Sequence, residues 1–323
     1  MELPFELSTA IEEQLAFIPV KKLSALVAKL SEDYRSGKIL GREPYIRTYE
    51  EALAYMAFRL PATFAAAYFV LSQVKGRLPD LSPNTLLDVG AGPGTAMWAA
   101  TMVWPELERI TLIERDQNMI DIGKKLAKYA SLHSIREAEW IKADVMGEWN
   151  VPKHDVVIAS YVLNELPPQS IGSFILKLWE STASILIFIE PGTPAGFSLI
   201  RQVRERLLGE GASIAAPCPH SSSCPIAEDD WCHFSQRLNR TRLHRQIKGG
   251  TLSYEDEKFS FVCLSRIPGV DIKGIVVRHP QIRKGHVYLK LCTPEGIVNA
   301  TITRKDKEKF KEARKLEWGS IVH

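Results

Sequence analysis

Leu86-Leu87-Asp88-Val89-Gly90-Ala91-Gly92-Pro93-Gly94-Thr95-Ala96 is the stretch on which the fold turns. An apolar run that ends in an acid and breaks into alternating glycines predicts a buried parallel strand turning sharply into a helix. Gly90, Gly92 and Gly94 lack a Cβ, so the backbone there can take positive φ and approach a bound molecule closely. The helix that follows offers unpaired N–H groups. The stretch therefore reads as a cofactor seat, with an ordinary glycine turn as the plain alternative.

Working outward, strand and helix patterns alternate from Asn84. Strands are expected at Leu86–Val89, at Ile110–Ile113 ending in Glu114, at Trp140–Ile141 ending near Asp144, at Val156–Ala159, and at Ile185–Ile189 ending in Glu190. Helices are expected between them, at Asp116–Tyr129 and Ile171–Trp179, and after them at Phe197–Leu208. Continuous apolar runs such as Val156–Ala159 suit strands covered on both faces. This is the order of a doubly wound α/β fold, in which ligands bind at the carboxyl ends of the strands.

Glycine turns of this kind serve dinucleotides and S-adenosylmethionine alike, so the neighbouring acids must decide. Asp88 stands two residues before the first glycine, where dinucleotide turns usually keep an apolar residue. Glu114 ends the second strand, where a carboxylate can accept hydrogen bonds from both ribose hydroxyls, and Asp144 could accept the adenine amino group. The expected cofactor is S-adenosylmethionine, held by Asp88, Gly90, Ala91, Gly92, Gly94, Glu114, Asp144, Val145 and Ser160. Methyl transfer is an in-line displacement that asks the protein mainly to position a nucleophile. The stretch after the fourth strand, Ser160 to Pro167, supplies the candidate catalytic residues Asn164 and Glu165 as proton or hydrogen-bond acceptors. The Asn/Asp-Pro-Pro-Tyr/Phe signature of amino methyltransferases is absent. Pro217-Cys218 lies beyond the fifth strand, the wrong place for a cytosine methyltransferase nucleophile.

Before the glycines, Leu7 to Leu78 is helical in pattern, with Ile11, Leu15, Val20, Leu23, Leu26, Val27 and Leu30 at spacings near three and four. Glu50–Leu60 repeats the habit, Pro61 is expected to interrupt it, and Ala62–Val74 resumes as a helix apolar nearly all round. The chain has 323 residues, 45% hydrophobic and 24% charged, enough for one large core and a small appended one. The longest apolar candidate, Ala62–Leu71, is too short to span a bilayer. Met-Glu-Leu-Pro-Phe-Glu-Leu lacks the regions of a signal peptide, so a cytoplasmic monomer with no membrane partner is the expectation. Residues 1–200 hold 19 Lys+Arg against 24 Asp+Glu, and residues 201–323 hold 22 against 14. The second part thus faces a polyanion more readily than the first, and nucleic acid leads the candidates.

After Leu208 the composition shifts to Ala216-Pro-Cys-Pro-His-Ser-Ser-Ser-Cys-Pro225, too poor in apolar residues to fold by itself. Cys218, Cys224, Cys232 and Cys263 follow one another at spacings of x5, x7 and x30. Four thiolates suit a tetrahedral zinc or an iron–sulfur cluster, and the missing Cys-x2-Cys knuckles tilt the choice toward iron–sulfur. His220 and His233 are alternative zinc ligands or sulfur-bonding neighbours, and buried free thiols remain the plain alternative. Cys292, in an apolar strand, reads as core. Between the third and fourth cysteines, Arg237, Arg240, Arg242, Arg245 and Lys248 are expected on one or two helix faces as a phosphate-binding surface. A strand at Phe259–Leu264 follows, then short strands at Gly274–Val277, His286–Leu291 and Ile297–Ile302 and a charged helix near Lys305–Lys315. The expected organisation is a helical cap (1–80), a Rossmann-like methyltransferase core (81–210), a cysteine-rich metal-binding and basic insertion with its return strand (211–266), and a small β-rich module (267–323).

Several motifs carry a resemblance: Leu-Asp-Val-Gly-Ala-Gly-Pro-Gly-Thr, Asn-Glu-Leu, Ile-Glu-Pro-Gly-Thr-Pro, Ala-Pro-Cys-Pro-His, Trp-Cys-His-Phe-Ser-Gln-Arg, Phe-Ser-Phe-Val-Cys-Leu-Ser-Arg and Arg-His-Pro-Gln-Ile-Arg-Lys-Gly-His-Val. From about Tyr45 to the C-terminus the chain resembles the Rsm22 family, the methyltransferase-like family associated with the ribosomal small subunit. The resemblance implies an S-adenosylmethionine fold and a [4Fe-4S] cluster on Cys218, Cys224, Cys232 and Cys263. It also implies binding to small-subunit rRNA during ribosome assembly, as a methyltransferase or as a non-catalytic assembly factor that keeps the fold.

Overall fold

The computed structural model describes residues 1–35, 46–249 and 252–322, so Tyr45, where the resemblance begins, lies outside the described residues. Three helices lead the chain: α1 (Phe5–Leu15), α2 (Val20–Arg35) and α3 (Tyr49–Arg77). Thr48 caps α3, its hydroxyl accepting from the Glu51 amide at 3.1 Å. The interruption expected at Pro61 does not occur, and α3 runs unbroken for 29 residues. A proline inside a helix costs about 3 kcal/mol. Burying Leu60, Phe64, Val70 and Leu71, all 0% exposed, contributes about 1.5–3 kcal/mol each, so packing wins. By length and composition α3 could cross a bilayer, yet 72% of its most apolar stretch is buried inside the protein.

The core follows as β1 (Thr85–Val89), α4 (Thr95–Val103), β2 (Arg109–Glu114), α5 (Gln117–Ala127), the short α6 (His133–Arg136), β3 (Glu139–Lys142), β4 (His154–Ser160), α7 (Ile171–Glu180), β5 (Thr182–Pro191) and α8 (Pro194–Gly209). Strands β1 to β5 are parallel and lie in the order β3-β2-β1-β4-β5, the doubly wound arrangement expected from the sequence. Strand residues alternate between two apolar layers. Leu86, Val156, Ile158 and Ile187 face the layer of α3 and α4, while Leu87, Val157, Leu186 and Phe188 face Phe174, Leu178 and Val203 of α7 and α8. The order reverses between β1 and β4, which opens a crevice at their carboxyl ends.

The sheet is completed by β6 (Ser213–Ala216), β7 (Phe234–Asn239) and β8 (Tyr254–Ser265), with α9 (Arg242–Lys248) between the last two. The twelve-residue β8 pairs antiparallel with β5, β6 and β7. The basic stretch expected to be helical therefore begins as a strand. Its short polar run has no strong local preference, and the free edge of β8 satisfies its backbone while Phe234 and Leu238 turn inward. A second sheet follows: β9 (Gly274–Val276), β10 (Gln281–Ile282), β11 (His286–Thr293), β12 (Gly296–Thr303) and β13 (Ile321–Val322), with α10 (Lys307–Ala313) packed on it through Phe310 and Ala313. The coreless segment between β6 and β7 is tied down by polar contacts. Trp231 Nε1 donates to Gly192 O at 3.0 Å, and Lys290 Nζ donates to Asp230 Oδ2 at 3.0 Å.

Candidate functional site

Gly90, Gly92 and Gly94 take φ of +73°, +54° and +80°, the left-handed region that side chains disfavour. A Cβ on Gly90 would stand 2.5 Å from Val162 Cγ2, whereas one on Gly92 would meet no protein atom within 4 Å. Gly90 thus turns inward and Gly92 faces open space above the crevice. The loop is held from below. Gly90 N and Ala91 N donate to Ile113 O, and Gly92 N donates to Glu114 Oε2 at 2.8 Å, while Glu114 Oε1 accepts from Asp116 N at 2.8 Å.

The pocket so formed is lined by Gly90, Ala91, Gly92, Glu114, Asp144, Val145 and Ser160, seven of the nine residues expected to hold a cofactor. Asp88 and Gly94 do not line it. Asp88 lies beneath the loop with 0% exposure, and neither of its oxygens finds a well-formed hydrogen bond. Burial and the Glu114 charge push it up to about 8 against the partial relief of the Met97 amide. Burial also raises Glu114, against the pull of the Asp116 and Gly92 amides. Asp144 is more exposed, accepts from Met146 N at 2.8 Å and lies 4.0 Å from Arg115. From the cap, Tyr55 and Thr63 of α3 close the opposite side.

Of the two candidate catalytic residues, Glu165 lines this pocket, 4.0 Å from Arg115, and Asn164 does not. Both ride on a single 3₁₀ turn, Leu163–Glu165, which presents one side chain outward and leaves Asn164 Oδ1 buried without a partner. Glu190, at the end of β5 and 0% exposed, anchors that turn by accepting from Leu163 N at 2.8 Å, and burial pushes it up to about 8. Tyr161 was not singled out from the sequence. It is the non-glycine residue with positive φ (+60°) among the described residues, and it lines the pocket. Its hydroxyl donates to Glu257 Oε1 at 3.1 Å, and Arg59 of α3 clamps the same carboxylate at 3.1 and 3.3 Å. The sequence signal was position alone, an aromatic residue directly after the fourth strand.

The cysteines are arranged differently from expectation. Cys218, Cys224 and Cys232 line one small apolar cavity with Cys292 of β11, walled by Phe197, Phe234 and Phe261. Cys263 is absent from it. It sits inside β8, opposite Ile187 on one side and Ala216 on the other, so the sheet interior encloses it. Cys263, the expected fourth ligand, is therefore apart from this cavity, and docking of the second sheet brings Cys292 to it instead. Cys292, expected in the core, is buried there, with its Sγ 3.8 Å from His220 Nε2. His233 stacks on Trp231, ring centroids 5.2 Å apart. All five thiols are free, and no three metal-ligating side chains meet at ion-holding distance among the described residues. Burial raises Cys218 and Cys232 and pushes Cys292 up to about 12. Two buried arginines stand beside Cys218: Arg204, with Nε unpartnered, and Arg77, with Nη1 unpartnered.

Three of the five expected phosphate-binding residues are engaged within the fold. Arg237 donates twice to Asp256, at 2.7 and 2.9 Å, while Arg240 (2.9 Å) and Lys248 both donate to Glu255. The cross-strand partners on β8 neutralise the stretch, a pairing invisible while it was read as a helix. Arg242 and Arg245 remain exposed on α9.

Comparison with known proteins matches residues 49–322 to the family described as mitochondrial small ribosomal subunit Rsm22. Human METTL17, named a mitochondrial ribosome assembly protein, is 30% identical over 292 residues, covering 84% of this chain and 62% of that protein. The mitochondrial Rsm22-cox11 tandem protein 2 of Schizosaccharomyces pombe is 25% identical over 330 residues, covering 84% and 43%. The chain therefore spans less than two thirds of the length of these relatives. Among solved structures, magnesium protoporphyrin IX methyltransferase of Synechocystis with bound SAM superposes with a TM-score of 0.43 at 14% identity, covering 72% of this chain and 90% of that one. The N-methyltransferase NodS of Bradyrhizobium japonicum with S-adenosylhomocysteine gives 0.40 at 13% identity, covering 72% and 97%.

Proposed function

The chain belongs to the Rsm22 family of the mitochondrial small ribosomal subunit, and on that footing we propose a ribosome assembly protein that binds small-subunit rRNA, holds S-adenosylmethionine at its glycine loop and carries an iron–sulfur cluster. The observation that carries the cofactor reading is the crevice at the strand-order reversal, where Gly92 leaves open space and Glu114 and Asp144 line the walls. A carboxylate-rich pocket suits a sulfonium cation, and Glu114 and Asp144 keep free lone pairs for ribose and adenine donors. S-adenosylmethionine would supply the activated methyl group. This chain's residues would orient it through the loop, and α3 would screen it from water. A second reading, catalysis of methyl transfer to rRNA, rests on Glu165 at the pocket wall as the acceptor for a nucleophile's proton. Calorimetry with S-adenosylmethionine tests the first reading, and no heat of binding by the folded protein would sink it. Mass spectrometry of rRNA from cells with and without the gene tests the second, since an enzyme leaves a methyl group that disappears with it.

The cluster reading is supported by four cysteine sulfurs that line one apolar cavity and by the unpartnered guanidinium atoms of Arg77 and Arg204, which would balance thiolate charge. Cys218, Cys224, Cys232 and Cys292 would hold it, and it would staple a segment that has no core of its own. Protein purified without air should be brown, with iron and sulfide in near-equal amounts. Cys292→Ser should lose the metal, and Cys263→Ser should retain it. Colourless protein with stoichiometric zinc would replace the iron–sulfur reading by structural zinc.

A further inference from the structure

The second sheet has a face that is covered at one end only. Along β11, Val287 and Leu289 turn toward Phe310 and Ala313 of α10. The alternate residues His286, Tyr288, Lys290 and Cys292 therefore share the opposite face. At one end, Cys292 is buried in the cysteine cavity and Lys290 is held by Asp230. The other end is open. Tyr288 is 42% exposed and meets the His286 ring edge to face, centroids 4.6 Å apart.

Around that tyrosine the chemistry is polar and cationic. Thr301 and Thr303 of β12 stand opposite Tyr288 and His286 in register, and both are exposed. Arg283 and Lys284, in the β10–β11 turn, are exposed with no acidic partner among the described residues. Residues 278–315 hold eleven Lys+Arg against four Asp+Glu. Of the four acids, Asp306 comes next to the open end, its amide donating to Thr303 O at 3.3 Å. Glu295 lies in the opposite turn of the hairpin, Asp306 caps α10 and pairs with Lys309, and Glu308 and Glu312 belong to the α10 layer.

We propose that this open end binds single-stranded RNA, with Tyr288 stacking on a base, Arg283 and Lys284 on the flanking phosphates, and the Thr301 and Thr303 hydroxyls on sugar or base edges. The proposal rests on the rRNA-binding reading above and moves its main contact from the basic stretch 237–248 to this sheet. A solvent-facing ring among hydroxyls and free cations offers too little apolar area for a protein partner. A duplex keeps its bases stacked away from such a ring, whereas a single strand presents them. Because Cys292 and Tyr288 lie on the same face of one strand, anything that holds the cysteine cavity also orients this platform.

The test is fluorescence anisotropy of the full chain with a short fluorescein-labelled single-stranded RNA of mixed sequence, over a range of KCl concentrations. Tyr288→Ala should weaken binding about tenfold with an unchanged salt slope, and Tyr288→Phe should restore it. The double variant Arg283→Ala/Lys284→Ala should flatten the slope of log affinity against log salt by about 1.4, the value for two single-strand phosphate contacts. If the wild-type chain binds no RNA, the rRNA-binding reading itself fails. If the wild type binds while Tyr288→Ala and the double variant match it, this surface is refuted and the RNA reading stands. Equal competition by duplex RNA would also refute it.

Discussion

Gly90 and Gly92 share a left-handed backbone but differ in what a side chain would meet, so they separate strain from occlusion. Gly90→Ala adds a Cβ 2.5 Å from Val162 Cγ2, on β-branched packing that cannot swing away. It should cost about 2–4 kcal/mol in urea unfolding, strain and overpacking together. Gly92→Ala should cost only about 1 kcal/mol and should act instead on affinity for the proposed S-adenosylmethionine, because its Cβ enters the open crevice. The folded Asp88 holds its proton up to about 8, whereas an unfolded aspartate releases it near 3.9. Between those values the native state binds more protons than the unfolded one, so this residue makes stability fall as pH rises through the window. Asp88→Asn removes that term and should raise stability by about 5 kcal/mol at pH 8, with little change near pH 4. His244 acts in the opposite sense. Burial holds it down to about 4 despite Glu255, so the unfolded state takes up its proton first and stability falls as pH drops from about 6.5 toward 4. Urea unfolding across pH should show the acid-side loss flattened in His244→Gln.

At the scale of elements, α3 shows how packing overrides a local rule. Pro61 removes one helical bond, but the helix around it is buried against the core and against β7 and β8, so it continues. That continuity places Arg59 one turn from the pocket and lets it clamp Glu257, which also receives Tyr161. Cap helix, strand end and return strand thus meet in one carboxylate. Arg59→Met keeps much of the packing and removes the cation, leaving Glu257 with the tyrosine. Stability should fall by about 1–3 kcal/mol, and amide exchange should quicken in the middle of α3 before it does in β4. Element types were largely legible in the sequence because the strands of the parallel sheet are continuous apolar runs. The stretch 234–248 was not, since Phe-Ser-Gln-Arg-Leu-Asn has no decisive period and took its form from the edge of β8.

At the scale of the whole molecule, the cysteine-rich segment joins the two sheets. It leaves the first at β6, returns at β7, and meets Cys292 and Lys290 of the second. The segment between β6 and β7 forms no helix or strand, which makes that junction the expected weak point. Cys292→Ser should leave the parallel sheet protected in hydrogen exchange while β9 to β12 open faster, and limited proteolysis should cut between 218 and 232. Unchanged protection would mean that the polar ties of Asp230 and Trp231 suffice alone.

By itself the sequence determined what local pattern can determine: the glycine turn after a buried strand, the run of alternating strands and helices, the acids at successive strand ends, and a segment too polar to fold alone. Those features are set by neighbours within a few residues, where sterics and periodicity act. Which distant groups meet was set by the packing of the folded chain. It set Cys292 rather than Cys263 beside the other three cysteines, turned Glu165 but not Asn164 to the pocket, put Tyr161 at its wall, and spent three of five basic residues on Glu255 and Asp256. Such meetings depend on how sheets dock and how strands register, and chain spacing carries no record of either.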